Sequence, residues 1–114
     1  HAKVLVMGCT FKENVADIRN SKVADVVKEL QGYHVAVHVV DTYADSDELQ
    51  HEYGFGLQEG TDTDYDAVIV AVNHEDYAQL DESYFRSITK PKALLVDVKG
   101  IYRGKVKELD YWSL

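Results

Sequence analysis

Val4-Leu5-Val6-Met7-Gly8-Cys9-Thr10-Phe11-Lys12-Glu13-Asn14, continuing through Asp17-Ile18-Arg19-Asn20-Ser21-Lys22, is the stretch from which the rest of the chain can be read. Val4 to Met7 is a short apolar run rich in β-branched residues, the pattern of a strand buried on both faces. Gly8 ends it and permits a tight backbone turn. Ser21 is placed to cap a following helix, because its hydroxyl can accept a bond from an orphan N–H of the first turn. The loop between carries Lys12 and Arg19, and a parallel sheet binds its ligands beyond the carboxyl ends of its strands. Two cations beside a helix N-terminus suit an anion, phosphate above all.

Outward from that unit, the strand–helix alternation continues. Strands are expected at Lys3–Met7, Val35–Val40, Ala67–Val72 and Ala93–Val98. Ser21 to Leu30 reads as a helix, with Val23, Val26, Val27 and Leu30 on one face, stopped by Gly32 as a C-terminal glycine. Shorter helical segments are expected at Glu48–Tyr53, His74–Leu80 and Ser83–Ile88. Pro91 breaks the pattern before the fourth strand, and Gly100–Leu114 is a tail without a clear reading. Alternating elements imply parallel pairing through right-handed crossovers, hence a three-layer α/β/α sandwich with a mainly parallel, Rossmann-like sheet. No strand is followed by a G-x-G-x-x-G fingerprint, so dinucleotide binding in the usual manner is not expected of this chain.

Bulk properties narrow the function. The 114 residues amount to one domain, and 46% are hydrophobic, enough for a core. The 12 basic and 20 acidic side chains give a net charge of −8, which would repel a nucleic acid. A phosphate ligand would then have to be held by local cations, which directs attention to Lys12, Arg19, Lys99 and Arg103. The single cysteine, Cys9, rules out an internal disulfide and suits a reducing, cytoplasmic setting. No apolar run approaches the roughly 20 residues of a membrane helix. With only His1-Ala2 ahead of the first strand, the chain reads as a domain excised from a longer protein.

Gly8, Phe11-Lys12, Asp17, Arg19 and Ser21 resemble the signature that opens the UDP-binding, C-terminal domain of the UDP-glucose/GDP-mannose dehydrogenase family. Val96-Asp97-Val98-Lys99-Gly100 resembles a second, shorter family motif, and Tyr111-Trp112-Ser113-Leu114 resembles the terminus of some bacterial members. The resemblance implies a larger NAD-dependent nucleotide-sugar 6-dehydrogenase, a homodimer or higher, that oxidises a UDP-hexose to its uronic acid for surface polysaccharide synthesis. In such an enzyme the C6 alcohol becomes an aldehyde, then a cysteine-bound thioester, then a carboxylate, with two NAD reduced. The N-terminal and central domains would bear the catalytic residues and most of the NAD site, so no catalytic residue is expected in residues 1–114. Phe11 and Lys12 are implied to touch the UDP-sugar, and Arg19 to reach NAD with its planar fork. Lys99 stands where many members place a substrate-binding arginine. Lysine keeps the charge and loses the fork, a departure closer to the branch acting on N-acetylated UDP-hexoses. Arg103 could supply the missing fork.

Each residue also has a plainer reading. Lys12 taken alone is an exposed loop lysine, Arg19 the partner of Asp17 in a local ion pair, and Arg103 a solvated turn residue. Cys9 does not sit in the family's catalytic motif and reads as a small buried hydrophobe. His34 and His38 would lie about 13 Å apart along one strand face, too far to share a metal, and no metal site is expected. His74-Glu75-Asp76 could line a pocket, but is favoured as the start of a helix with acids in its first turn. Asp41 to Glu48 reads as a solvated connection, although Asp41 resembles the family's strand-end aspartate. Among Tyr33, Tyr43, Tyr53, Tyr65 and Tyr77, some could stack on uracil, and most should be half-buried packing. The rival architecture is a stand-alone nucleotide-binding or receiver-like regulatory module. It would need an acidic cluster after the first strand, where Gly8-Cys9-Thr10 stands.

Overall fold

The computed structural model describes residues 2–10 and 12–114. Strands β1 (Lys3–Met7), β2 (Ala36–Val40), β3 (Tyr65–Val70), β4 (Thr89–Asp97) and β5 (Asp110–Ser113) form one sheet in the order β2-β1-β3-β4-β5. Every neighbouring pair is parallel, as the apolar, unalternating strands predict. Helices α1 (Lys22–Gly32) and α2 (Ser46–Tyr53) cover one face, and α3 (Glu75–Ala78) and α4 (Glu82–Ile88) the other. β1 is buried on both sides because its residues alternate between two cores. Val4 and Val6 meet Ala24, Val27, Val39 and Leu49 on the α1 side. Leu5 and Met7 meet Tyr77, Phe85, Leu95 and Tyr102 on the other. The chain leaves β1 toward β2 and returns to the opposite side as β3, so the topological switch point lies between β1 and β3, where open α/β sheets bind ligands.

Four sequence expectations are corrected. The tail contains a strand, β5, which extends the sheet beside β4. Its connection is built by acidic side chains rather than by apolar pattern. Asp97 accepts bonds from the N–H groups of Ile101 (3.0 Å) and Tyr102 (2.7 Å) and from the Tyr111 hydroxyl. Glu82 accepts from the N–H groups of Lys107, Glu108 and Leu109. Pro91 does not precede β4 but lies inside it, in an irregularity where Tyr65 pairs with Thr89 and Ala67 next pairs with Leu94. A proline lacks a ladder donor and is tolerated at such a bulge. β3 begins at Tyr65 and ends at Val70, two residues earlier than expected at each end. Gly32 is the last residue of α1, and the left-handed turn that follows falls on His34 (φ 61°). The remaining elements lie within a few residues of expectation, and Ser21 caps α1, accepting from Ala24 N–H while its own hydroxyl donates to the Cys9 carbonyl at 2.8 Å.

Gly8 marks a close approach between two loops. It has φ +94°, and a Cβ there would stand 2.7 Å from the Cβ of Val72. The β1–α1 and β3–α3 loops can therefore approach only across a glycine. Gly8→Ala should destabilise the domain by about 1–3 kcal/mol. Urea unfolding followed by circular dichroism checks this, and an unchanged midpoint would show that the two loops separate freely.

Candidate functional site at the carboxyl ends of the strands

A pocket of about 540 Å³ opens beside the switch point. Its apolar floor comes from Ile69 of β3 and Val96 of β4, with Val23 and Val26 of α1 as one wall and Val72 and Val98 as the rim. Lys12 from the β1–α1 loop, Lys22 from the first turn of α1 and Lys99 after β4 line the same opening, with Asn20 and Glu13. Three cations thus gather around an apolar floor at a helix N-terminus, in a chain whose net charge is −8. Such a site fits a phosphorylated ligand with a planar or apolar part. The floor is open because the α1–α2 layer covers only part of the sheet. The core on that face takes residues from β1, β2 and β3, whereas Leu94 of β4 and Trp112 of β5 remain 39% and 49% exposed.

Beside the pocket, polar side chains from three successive loops are locked together. Asp41, whose side chain is fully buried, accepts from Cys9 N–H (2.7 Å) and the His74 ring (2.9 Å) on one oxygen. Its other oxygen accepts from the N–H groups of Tyr43 (2.7 Å) and Ala44 (2.9 Å). Burial alone would push this carboxyl up, but the donors outweigh it and hold the group below its ordinary value. His74, also fully buried, takes Asn14 N–H on Nδ1 at 2.9 Å. Nδ1 is therefore an acceptor and Nε2 carries the hydrogen given to Asp41. The Tyr43 and Tyr77 rings flank it at 4.8 and 5.4 Å. His74 does precede helix α3, as read from the sequence, yet it caps nothing with its side chain. Its ring instead joins the strand ends. Asp41 is not a solvated connection. The shared signal was present in the sequence: Thr10, Asp41 and His74 each stand just beyond a strand end.

The residues singled out from sequence divide between these places. Lys12 and Lys99 come together at the pocket; both are exposed. Phe11 lies outside the described residues. Arg19 is exposed on the same loop and forms a two-pronged pair with Asp17, through Nε (3.0 Å) and Nη2 (3.0 Å). That guanidinium brings the Asp17 carboxyl down to about 2. Arg103 does not line the pocket. Its guanidinium packs over Gly100 and donates to Ser113 Oγ and the Leu114 carbonyl. Burial pushes the Cys9 thiol well above its ordinary range, the state of an inert core residue and not of a nucleophile. No tyrosine is among the described residues lining the pocket, and Tyr65 and Tyr77 belong to the core. The described residues contain no group of three or more histidine, cysteine, aspartate or glutamate side chains able to hold a metal ion, and no helix long and apolar enough to cross a membrane.

The profile of the UDP-glucose/GDP-mannose dehydrogenase family, UDP binding domain, matches residues 5–104. The chain belongs to this family. It is 42% identical over 101 residues to the UDP-N-acetyl-D-glucosamine 6-dehydrogenase of Salmonella typhi, a match covering 88% of this chain and 24% of that protein. The enzyme of the same description from Pseudomonas aeruginosa is 40% identical over 100 residues, covering 86% and 24%. The chain thus spans about a quarter of the length of these curated relatives. In fold it is similar to a UDP-D-ManNAc dehydrogenase from Pyrococcus horikoshii, with a TM-score of 0.80 over 99% of this chain and 25% of that one at 18% identity. The Staphylococcus aureus UDP-N-acetyl-mannosamine dehydrogenase Cap5O gives a TM-score of 0.78 over 99% and 26% at 23% identity.

The lowered Asp41 carboxyl makes a pH-dependent contribution. A group whose folded value is depressed stabilises the fold above its unfolded value, and that contribution disappears as pH falls through the folded one. Stability should therefore decline below about pH 5. Asp41→Asn should cost about 1–3 kcal/mol at neutral pH, because an amide NH₂ would face N–H donors, and should flatten the acid decline. Thermal unfolding of both proteins between neutral and acid pH measures this; parallel pH curves would remove Asp41 as a source of the acid sensitivity.

Proposed function

We propose that this chain is the C-terminal, UDP-sugar-binding domain of an NAD-dependent nucleotide-sugar 6-dehydrogenase. The observation that carries the reading is the convergence of Lys12, Lys22 and Lys99 on one apolar-floored pocket at the β1/β3 switch point. Lysines are compact charges that suit phosphate oxygens and sugar hydroxyls, and the floor can take the uracil or the acyl group of an N-acetylated sugar. The substrate is a UDP-N-acetylhexosamine in preference to UDP-glucose. This follows from Lys99 in place of an arginine and from the acetamido sugars that the two enzymes above are named for.

The domain supplies binding and orientation. Affinity for the UDP group, remote from the reacting C6, can be used to hold the sugar in register with catalytic groups contributed by the N-terminal and central parts of the enzyme. NAD, when bound, accepts hydride. The residue here that fits it is Arg19, whose exposed guanidinium is presented by Asp17 at the loop surface, while the turn after β1 is occupied by the Thr10–His74–Asp41 bonds. A receiver-like module has the same strand order in general, but its acidic cluster has no counterpart at Gly8-Cys9-Thr10.

In the full-length enzyme, Lys12→Ala and Arg19→Ala should fail differently. Loss of Lys12 should weaken UDP-sugar binding by about 1.5–3 kcal/mol, the range for a hydrogen bond to a charged group. Loss of Arg19 should raise the KM for NAD more than that for the sugar. Steady-state kinetics with each substrate varied separately would show it. Unchanged constants in both variants would leave only the fold in common with the family. The 114-residue chain by itself should bind UDP and reduce no NAD.

A further inference from the structure

We propose that His74 is a positioning residue that sets the geometry of the Lys12 loop for the phosphates of the nucleotide, acting through Asn14. The inference rests on the nucleotide reading of the pocket above and adds a residue 62 positions from Lys12 in sequence. His74 comes from a different strand end, lines no part of the pocket, and has no ligand contact to offer. Its ring bridges two points of the loop that carries Lys12. Nδ1 holds the backbone N–H of Asn14 at 2.9 Å. Nε2–H is shared between Asp41 at 2.9 Å and Thr10 Oγ1 at 3.3 Å. Thr10 in turn spends its own hydroxyl hydrogen on the Lys12 carbonyl at 2.7 Å. The backbone of Lys12 is thereby tied on one side through Thr10 and on the other through Asn14.

Asn14 bears the clearest mark of this tie. It sits at φ 60°, in the left-handed region, which asparagine tolerates better than most residues but does not prefer. Two bonds to the β3–α3 loop hold it there, the one to His74 and one from Glu75 N–H to its Oδ1 at 2.7 Å. Glu13, Asn14, Val15 and Ala16 all have exposed side chains, so the loop after Lys12 has little packing of its own to fix it. The buried ring provides the rigid support, and Asp41 fixes the ring's tautomer and orientation. Lys12 is then presented to the pocket at low ordering cost when a ligand binds.

Two substitutions separate positioning from mere structural support. In His74→Asn the amide oxygen can take the place of Nδ1 and still accept from Asn14. In His74→Gln the amide nitrogen can take the place of Nε2 and still donate to Asp41, but Asn14 loses its acceptor. Amide hydrogen exchange on the unliganded chain should show Asn14 exchanging about tenfold faster in His74→Gln and close to wild type in His74→Asn, with the β1 and β3 amides unchanged in both. Calorimetric titration with UDP should show affinity reduced about three- to tenfold in His74→Gln and retained within about twofold in His74→Asn. In a Lys12→Ala background, His74→Gln should cost no further affinity. If wild-type chain itself fails to bind UDP, the nucleotide reading falls and this inference with it. If wild type binds and His74→Gln binds as tightly, or if both variants lose affinity equally in step with their melting temperatures, the positioning role alone is refuted.

Discussion

A carboxylate taken fully out of water has to be met by donors, and Asp41 obtains its donors from three loops that are far apart in sequence. Cys9 N–H comes from the turn after β1, the His74 ring from the turn after β3, and Tyr43 and Ala44 N–H from its own loop. Any separation of those loops would leave a buried charge short of partners, which is among the costlier defects a fold can carry. The carboxyl ends of β1, β2 and β3 are therefore held as one rigid edge, and the pocket beside them inherits that rigidity. Gly8 is the steric counterpart of the same constraint, since only a missing Cβ lets the first and third loops come within bonding range.

Charge distribution follows from this edge. The chain carries an excess of eight acidic groups, and many of them are committed to backbone N–H groups: Asp97 and Glu82 in the β4–β5 connection, Asp45 and Asp81 as helix caps. Acids placed on helix N-termini and turns are satisfied locally. Three lysines are gathered at the switch point, so a positive site can exist on a negative domain. A net charge of −8 repels a polyanion at long range, whereas field strength at a few ångströms is set by the nearest charges, which at the pocket are the three lysines.

The sandwich is also incomplete on one face. The α1 side is covered as far as β3, while Leu94 and Trp112 lie open beyond it. That uncovered half makes the pocket floor accessible. A helix over β4 and β5 on this side would close the cavity that Val96 and Ile69 now line.

The amino-acid sequence alone determined the parallel architecture, since short apolar strands without alternation can be buried only between two helical layers. It also determined the cap at Ser21 and placed Lys12 and Lys99, two of the three lysines lining the pocket, just beyond strand ends that such a sheet brings to one edge. The fifth strand was not legible. Asp110-Tyr111-Trp112-Ser113 has no apolar pattern, and its place is fixed by the register against β4 and by Asp97 and Glu82 from elsewhere in the chain. Pro91 likewise signalled a break where a bulge in the ladder accommodates it. Arg103 had the right charge in the right neighbourhood, and only the positive φ of Gly100 and the nearness of β5 turned it toward Ser113. Asp41 looked like a solvated acid, and nothing local marked His74 as more than the helix start it is, because the two partners are 33 residues apart in sequence. Local pattern records which residues can be buried or can turn the chain, whereas hydrogen bonds between loops depend on which strand ends the sheet order sets side by side, and that is decided in three dimensions.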